Sequence, residues 1–248
     1  CLKLQYGTAS AVISLYGAQV LSYQLTAEHE VLWLSPKAQW HNQQAIRGGV
    51  PVCWPWFGPA SAAFNPQNIS LPNHGLVRNK LWQVCDQHSA ADGVSVTLSI
   101  AVDDLPHIQG GTTLKLCVTL NDSLKLTLSC DSAMPQQAAL HSYFAVNNLD
   151  SVLVRPLPSS YHDKVNASFV DDSRCAATFQ AETDRIYPQS DRQLWLEQDE
   201  GTLSIYQSGH DATVVWNPWR ERSTTLSELN KDSYRQFDCV ETARLNSG

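Results

Sequence analysis

The stretch from residue 114 to residue 130, LKLCVTLNDSLKLTLSC, alternates apolar and polar side chains on either side of three turn residues. An apolar residue stands at every second position from Leu114 to Leu120, and the alternation resumes between Leu124 and Cys130. A period of two is typical of a half-buried antiparallel strand, and Asn-Asp-Ser at 121–123 is typical of a turn. The stretch therefore predicts a β-hairpin with one buried face and one face in water.

Similar alternation recurs along the chain and indicates the fold class. Residues 94–102 read VSVTLSIAV, with apolar side chains at every second position. Further extended segments are predicted at residues 9–16, 20–25, 31–34, 138–146, 203–207, 213–216 and 237–242. No window places apolar residues at helical spacing over three turns, and no linker divides the sequence. We therefore predict an all-β protein with one sandwich-like or barrel-like domain over residues 1–248.

Composition and charge limit the classes of partner. Of the 248 residues, 43% are hydrophobic and 17% are charged, which is typical of a globular domain with a sizeable core. The formal net charge is −7 and no basic run occurs, so we expect neither a nucleic-acid nor a membrane partner. No window approaches the roughly 18 apolar residues of a membrane span.

The seven cysteines favour a reducing compartment. They are odd in number, scattered, and form no Cys-x-x-Cys pair. We therefore expect a cytoplasmic protein, and we expect a monomer. The sequence begins at Cys1 without an initiator methionine, and we expect some N-terminal sequence to precede it.

Residues 46–59, IRGGVPVCWPWFGP, form an apolar segment that does not fit a regular element. Prolines at 51, 55 and 59 remove ladder donors and break helical bonding, although the residues between them resemble a buried strand. We predict a rigid irregular loop that carries Arg47 beside two glycines.

Further segments place polar residues in apolar surroundings. His141 lies within the predicted strand 138–146, and Glu241 lies within the predicted strand 237–242. Each has a structural alternative: His141 as a satisfied core histidine, and Glu241 in an ion pair with Arg244 or Arg185. For residues taken singly, these alternatives stay open.

Six segments together resemble one enzyme family. They are IRGGVPVCWPWFGP at 46–59, NHGLVRN at 73–79, LHSYF at 140–144, TDRIY at 183–187, VVWNPW at 214–219 and CVE at 239–241. The set is similar to the hexose-6-phosphate mutarotases, or glucose-6-phosphate 1-epimerases, a branch of the aldose 1-epimerase (galactose mutarotase-like) superfamily. The likeness runs from about residue 8 to residue 243 in the family's order.

The resemblance implies a fold, an activity and a set of site residues. The implied fold is a twisted antiparallel β-sandwich that holds a sugar on the concave face of one sheet. His141 is similar to the family's general acid and Glu241 to its general base. The implied substrate-binding residues are Arg47, Asn73, His74, Arg78 and Asp184. No cofactor and no metal are implied, and the implied partner is a small sugar phosphate.

The chemistry of anomer exchange explains these residue types. Opening a hemiacetal needs a base for the C1 hydroxyl proton and an acid for the ring oxygen. Histidine titrates near neutrality and glutamate can return a proton, so we expect His141 and Glu241 on opposite sides of the sugar. Arginine forks suit phosphate oxygens, which explains Arg47 and Arg78 in an acidic protein. Tryptophans of the loop, with Phe57, Trp216 and Trp219, are expected to form apolar walls that present or support these groups.

The sequence is also compatible with three alternatives. The first is an epimerase for free aldoses, which the two arginines argue against. The second is a non-catalytic carbohydrate-binding module with the same sandwich. The third is a metal site formed by His74, His141 and Glu241, although no short His-x-His spacing supports it.

Overall fold

The computed structural model describes residues 1–40 and 44–246, and strands dominate this part of the chain. The strands are β1 (Leu2–Tyr6), β2 (Ala9–Ile13), β3 (Val20–Thr26), β4 (His29–Glu30), β5 (Val52–Cys53), β6 (Gln83–Ala90), β7 (Gly93–Val102), β8 (Thr112–Leu120), β9 (Leu124–Cys130), β10 (Ala138–Leu140), β11 (Tyr143–Ala145), β12 (Leu153–Arg155), β13 (Ser160–Asp163), β14 (Ser168–Asp171), β15 (Thr183–Pro188), β16 (Gln193–Gln198), β17 (Gly201–Tyr206), β18 (Ala212–Asn217) and β19 (Phe237–Arg244). The helices are short: α1 (Trp219–Ser223) and two 3₁₀ turns at Leu149–Ser151 and Ser233–Gln236. None of the helices among the described residues is long and apolar enough to cross a membrane.

Within the described residues, the strands form four antiparallel sheets. The largest has the order β14-β13-β15-β18-β19-β10-β5, and β11 also pairs with β19. Two four-stranded meanders, β1-β2-β3-β4 and β6-β7-β8-β9, contact each other through β1, β2, β7 and β8, and a third small sheet has the order β12-β16-β17. One large apolar cluster joins side chains from all of these sheets. The predicted twisted antiparallel β-sandwich is thus confirmed.

The hairpin of residues 114–130 forms as predicted. β8 and β9 pair in register from Leu114 opposite Cys130 to Leu120 opposite Leu124. Every second residue of β8 is buried, whereas the alternate residues of β9 are exposed. Alternation therefore identified both the strands and their core face, as expected for a sheet with one solvated side.

The segment 31–34 is not a strand, contrary to prediction. Only isolated bridges form there, from Leu32 to Phe144 and from Leu34 to Gly48. Both belong to an irregular passage in which Trp33 donates its N–H to the carbonyl of Tyr143. The apolar pattern reflects burial against this neighbouring chain, because burial alone does not create a continuous ladder.

The segment 46–59 is more regular than predicted. Its residues Val52–Cys53 form β5, which pairs with β10 at the edge of the large sheet. Trp54 and Trp56 are fully buried, and their indole N–H groups donate to Oε1 of Gln136 and to the carbonyl of Pro72. These two tryptophans are core residues that anchor the segment. They therefore support the binding groups and do not themselves present an apolar wall to the ligand.

Asp238 is a buried carboxyl group on β19, three residues before Glu241 and therefore on the opposite face of the strand. It is 0% exposed, and neither carboxyl oxygen has a hydrogen-bond partner among the described residues. Burial raises the pKa of Asp238 from 3.8 to about 8. The folded protein consequently holds a proton that the unfolded chain releases, so stability is lost as the pH rises through this window.

We predict that Asp238→Asn removes this loss. As the pH rises from 3.8, the unfolded pKa, to about 8, the folded pKa, the wild type should lose stability relative to the variant. The difference in unfolding free energy should grow by up to about 1.4 kcal/mol per pH unit. Denaturant unfolding at several pH values measures this difference. Asp171→Asn, at an exposed position, is the control. A gap that stays constant with pH would contradict the prediction.

Candidate active site

The register of β19 brings His141 opposite Glu241. β10 and β11 are separated by two residues, but both pair with β19 in the same antiparallel register. The pairs on either side of these two residues are Leu140 with Thr242 and Tyr143 with Cys239. Residues at opposite positions of an antiparallel pair share a face, and Nε2 of His141 lies 3.4 Å from Oε1 of Glu241.

The sequence predicts His141 inside a strand, but the residue lies in the two-residue break between β10 and β11. Its backbone N–H donates to the carbonyl of Pro51, and the N–H of Tyr143 donates to the carbonyl of Gly49. The residues before β5 therefore flank this break and hold it in place. The same hydrogen bonds position the chain that carries Arg47 beside the His141 segment.

Burial controls the protonation of the pair. His141 is 7% exposed and Glu241 is 1% exposed. Burial, together with the positive charges of Arg78 and Arg47, holds the pKa of His141 well below its usual range. Burial and the nearby charge of Asp184 hold the pKa of Glu241 well above its usual range. Both shifts favour a neutral imidazole and a protonated carboxyl group in the ligand-free protein.

Each member of the pair has a polar atom without a partner. Among the described residues, neither Nδ1 of His141 nor Oε2 of Glu241 has a hydrogen-bond partner, although both atoms are buried. Such groups are costly in a purely structural role and are typical of functional sites. The ion pair of Glu241 with Arg244 or Arg185, considered from the sequence, is replaced by the contact with His141.

Aromatic rings fix the orientation of His141. The ring of Tyr143 stacks on it with a centroid distance of 4.9 Å and an interplanar angle of 7°. Trp216, which is partly buried, approaches edge-on at 5.9 Å. His74 approaches edge-on from another side at 5.7 Å. The imidazole therefore has little freedom to rotate, which is what a proton-transfer group needs.

Arg47 projects from a backbone turn that requires glycine. A Cβ on Gly49, at φ +60°, would overlap the carbonyl oxygen of Val20. Nη1 of Arg47 donates to the hydroxyl of Tyr143 at 3.0 Å, and Nη2 lies 3.5 Å from Oε1 of Glu228. Tyr143 thus links Arg47 to His141, because one residue contacts both.

The segment 73–79 supplies a second arginine and a histidine. Nη2 of Arg78 donates to the carbonyl of Asn73 at 3.0 Å, and Nδ1 of His74 accepts the N–H of Gly58. Burial and the charges of Arg78, Lys164 and Arg47 lower the pKa of His74 to about 3, so this ring is neutral near pH 7. Asn73 itself is exposed, and its contribution in the ligand-free protein is the carbonyl that holds Arg78.

A cleft of about 230 Å³ lies between the two arginines. Its walls include Arg47, Arg78, Asn79, Tyr143 and Glu228. His141 and Glu241 do not line the cleft themselves, but Tyr143 adjoins both the cleft and His141. The cationic cleft and the acid–base pair are therefore neighbouring parts of one site.

Asp184 lies on β15 and pairs with a lysine that the sequence had not indicated. Nζ of Lys164 lies 3.1 Å from Oδ2 of Asp184 and 5.6 Å from the ring centre of Phe57. Phe57 in turn packs edge-on against His74 at 4.8 Å. Through this chain of contacts, Asp184 belongs to the same site as the histidines.

Sequence reasoning missed Lys164 and Glu228 and did not assign a role to Tyr143. Lys164 lies in the turn between β13 and β14, and Glu228 lies in an irregular segment after α1. Neither stands in a motif, so no local signal marks them. Tyr143 lies two residues after His141, and this spacing in an extended segment does predict that the two side chains share a face.

The alternative of a metal site is not supported. Within residues 1–40 and 44–246, no group of three or more His, Cys, Asp and Glu side chains is placed to hold a metal ion. Nδ1 of His74 is engaged by Gly58.

The fold and this site together define the class of protein. The sequence matches the aldose 1-epimerase family along residues 1–248. The chain belongs to that family, and it is an epimerase. The alternative of a non-catalytic carbohydrate-binding module is therefore not supported.

Individual relatives give closer comparisons. The chain is 35% identical to a candidate glucose-6-phosphate 1-epimerase of Escherichia coli (strain K12), over 98% of this chain and 82% of the relative. It is 30% identical to a protein of the same description from Haemophilus influenzae, over 89% of this chain and 75% of the relative. The crystal structure of a candidate mutarotase from Salmonella typhimurium superposes with a TM-score of 0.89 at 30% identity, covering 99% of this chain and 83% of that one.

Proposed function

We propose that this protein interconverts the α and β anomers of a hexose 6-phosphate, with glucose 6-phosphate as the principal substrate. The observation that carries the proposal is the link through Tyr143 between a buried His–Glu pair and a cleft with two arginines. The pair supplies acid–base chemistry, and the cleft supplies charge for a phosphate. The names of the relatives at 30–35% identity support the same substrate class.

The acid–base pair acts on two oxygens of the same carbon. The ring oxygen and the C1 hydroxyl are both bonded to C1, so a donor and an acceptor that lie side by side can serve them together. The 3.4 Å contact between His141 and Glu241 fits this arrangement better than the opposite-side placement expected from the sequence. It is also long for a charge-assisted hydrogen bond, so little is lost when the sugar oxygens take its place.

The proton balance follows from these roles. The proton of the resting pair first moves from Glu241 to His141 across their 3.4 Å contact. Glu241 then takes the C1 hydroxyl proton as a carboxylate, while the His141 imidazolium gives a proton to the ring oxygen and the C1–O5 bond breaks. The open chain then faces a neutral pair. Rotation about C1–C2 presents the other carbonyl face, and both protons return as O5 attacks C1. No covalent bond to the protein forms.

Burial makes the charged pair costly to form and favours the ring-opening step that removes its charges. The imidazolium and carboxylate required before opening are the charged forms that the pair disfavours, whereas the neutral forms that follow opening are favoured. The proton transfers therefore remove charge from a desolvated site. Asp184 contributes by its negative charge, which makes Glu241 a stronger base.

The remaining polar residues bind the sugar phosphate. Arg47 and Arg78 project into the cleft, where their guanidinium groups meet the phosphate oxygens. Asp184 accepts hydrogen bonds from sugar hydroxyls and Lys164 donates to them, while His74 lines the ring pocket beside His141. On this proposal the phosphate binds in the cleft and C1 lies at the acid–base pair.

The test of the proposal is exchange between the α and β anomers, followed by NMR with glucose 6-phosphate and with glucose. We expect the wild-type protein to accelerate exchange of the phosphorylated sugar strongly and exchange of glucose far less. A preference for glucose would favour an aldose epimerase for free sugars. No acceleration with either sugar would overturn the proposal.

Arg47→Ala is predicted to weaken use of the phosphorylated sugar selectively. Loss of charged hydrogen bonds worth about 1.5–3 kcal/mol corresponds to a roughly 10- to 100-fold lower kcat/KM for glucose 6-phosphate. The rate for glucose should change far less, because glucose has no phosphate. Arg155→Ala, at an exposed pair with Glu197, is the control. Equal losses on both sugars would assign Arg47 to the support of Tyr143 instead.

A further inference from the structure

Among the described residues, the cationic cleft contains one carboxylate, that of Glu228. Oε1 of Glu228 lies 3.5 Å from Nη2 of Arg47, and Glu228 lines the cleft together with both arginines. With Arg47 and Arg78 positive and Glu228 negative, these three side chains carry a net charge of about +1 at neutral pH. A phosphate ester carries about −1.5 to −2. The carboxylate therefore opposes the ligand that the arginines attract.

The position of Glu228 is held independently of Arg47. Its Oε2 accepts a hydrogen bond from Oγ of Ser227 at 2.9 Å, and its carbonyl accepts one from Oγ of Ser35. The next residue, Leu229, is buried in an apolar cluster with Trp33 and Tyr143. The carboxylate is consequently fixed at the cleft by its own segment.

The pairing of Arg47 with Glu228 is weak enough to be exchanged. A separation of 3.5 Å exceeds the 2.7–2.9 Å typical of charge-assisted hydrogen bonds, and the two side chains keep 21% and 17% exposure. Arg47 also keeps its 3.0 Å hydrogen bond to Tyr143 through the other terminal nitrogen. Nη2 can thus turn to a phosphate oxygen while Nη1 stays in place.

We propose that Glu228 is a specificity-determining residue that competes with the substrate phosphate for Arg47 and so limits how tightly the cleft holds a dianion. The inference rests on the proposed function of the cleft. In the ligand-free protein Glu228 pairs with Nη2, and in the complex it yields this donor to the phosphate. The residue therefore sets KM and the ease of release.

Three variants test this role. Glu228→Gln removes the charge at nearly constant volume, Glu228→Asp keeps the charge on a shorter side chain, and Glu221→Gln removes one charge from an exposed position of α1 outside the cleft lining. Binding of inorganic phosphate is measured by calorimetry, and KM for glucose 6-phosphate by anomer exchange.

The expected result is that Glu228→Gln tightens inorganic phosphate binding and lowers KM by about fivefold, as removal of one unit charge near 4 Å in water-like surroundings predicts. Glu228→Asp and Glu221→Gln should not tighten binding. Unchanged or weaker binding in Glu228→Gln would overturn the inference, since Glu228 would then serve to orient Arg47. An equal gain in Glu221→Gln would overturn it as well. If the wild type binds phosphate but exchanges no anomers, the proposed function is wrong, whereas the role of Glu228 in anion binding is unaffected.

Discussion

Replacement of His141 by alanine or of Glu241 by glutamine is expected to lower the catalysed exchange of glucose 6-phosphate anomers by about 10²–10⁴-fold. Each change removes one of the two groups that move protons at C1. Because the pair acts as a unit across 3.4 Å, the double variant should lose little more than the more impaired single variant. NMR exchange rates, corrected for the spontaneous reaction, measure these losses.

Matched controls come from the same molecule. His162→Ala removes a histidine from β13 that contacts the exposed ring of Phe169, and Glu197→Gln removes a carboxylate from β16. Neither residue contacts the pair, so both variants should keep the wild-type rate. A single variant of His141 or Glu241 with wild-type exchange and intact folding would remove that residue from the chemistry.

Gly75→Ala is expected to cost about 2–5 kcal/mol of unfolding free energy, which is the combined range for left-handed backbone strain and overpacking. Gly75 has φ +82°, and a Cβ there would overlap the carbonyl oxygen of Trp54. The bridge between Trp54 and Gly75 joins the segment of Arg47 to the segment of His74 and Arg78. Activity should therefore fall together with stability, because the clash displaces both sides of the cleft.

Gly58→Ala separates the two causes of this cost. Gly58 also has a positive φ, of +69°, but a Cβ there would meet no heavy atom of the described residues within 4 Å. Its backbone bonds to His74 would remain. We expect only the left-handed strain, about 1–2 kcal/mol. Denaturant unfolding of both variants measures the difference. Equal losses would show that the contact with Trp54 carries no cost.

The sequence was informative where burial alternates along a strand. The hairpin of β8 and β9 could be predicted because one face is buried and the other is wet. β6 could not, because all eight residues from Gln83 to Ala90 are exposed and show no alternation. Its pairing with β7 determines its structure, and pairing is not visible in a single segment.

The site was predictable only where residues stand in motifs. The resemblance identified His141, Glu241 and Arg47, and the structure brings them into one connected set. Lys164 and Glu228 enter the site through the packing of a turn and of an irregular segment, and no spacing in the sequence indicates either. The roles assigned to the predicted residues, the single domain and the cytoplasmic location stay predictions.

The alignment of β10 and β11 with β19 also has an evolutionary consequence. The acid–base pair is created by the count of residues between paired strands, since His141 meets Glu241 only while that count is kept. A single insertion or deletion in either partner would turn one of the two side chains to the other face of the sheet. An insertion or deletion in β10, β11 or β19 would therefore separate the pair, whereas a change of composition that keeps the residue count would not.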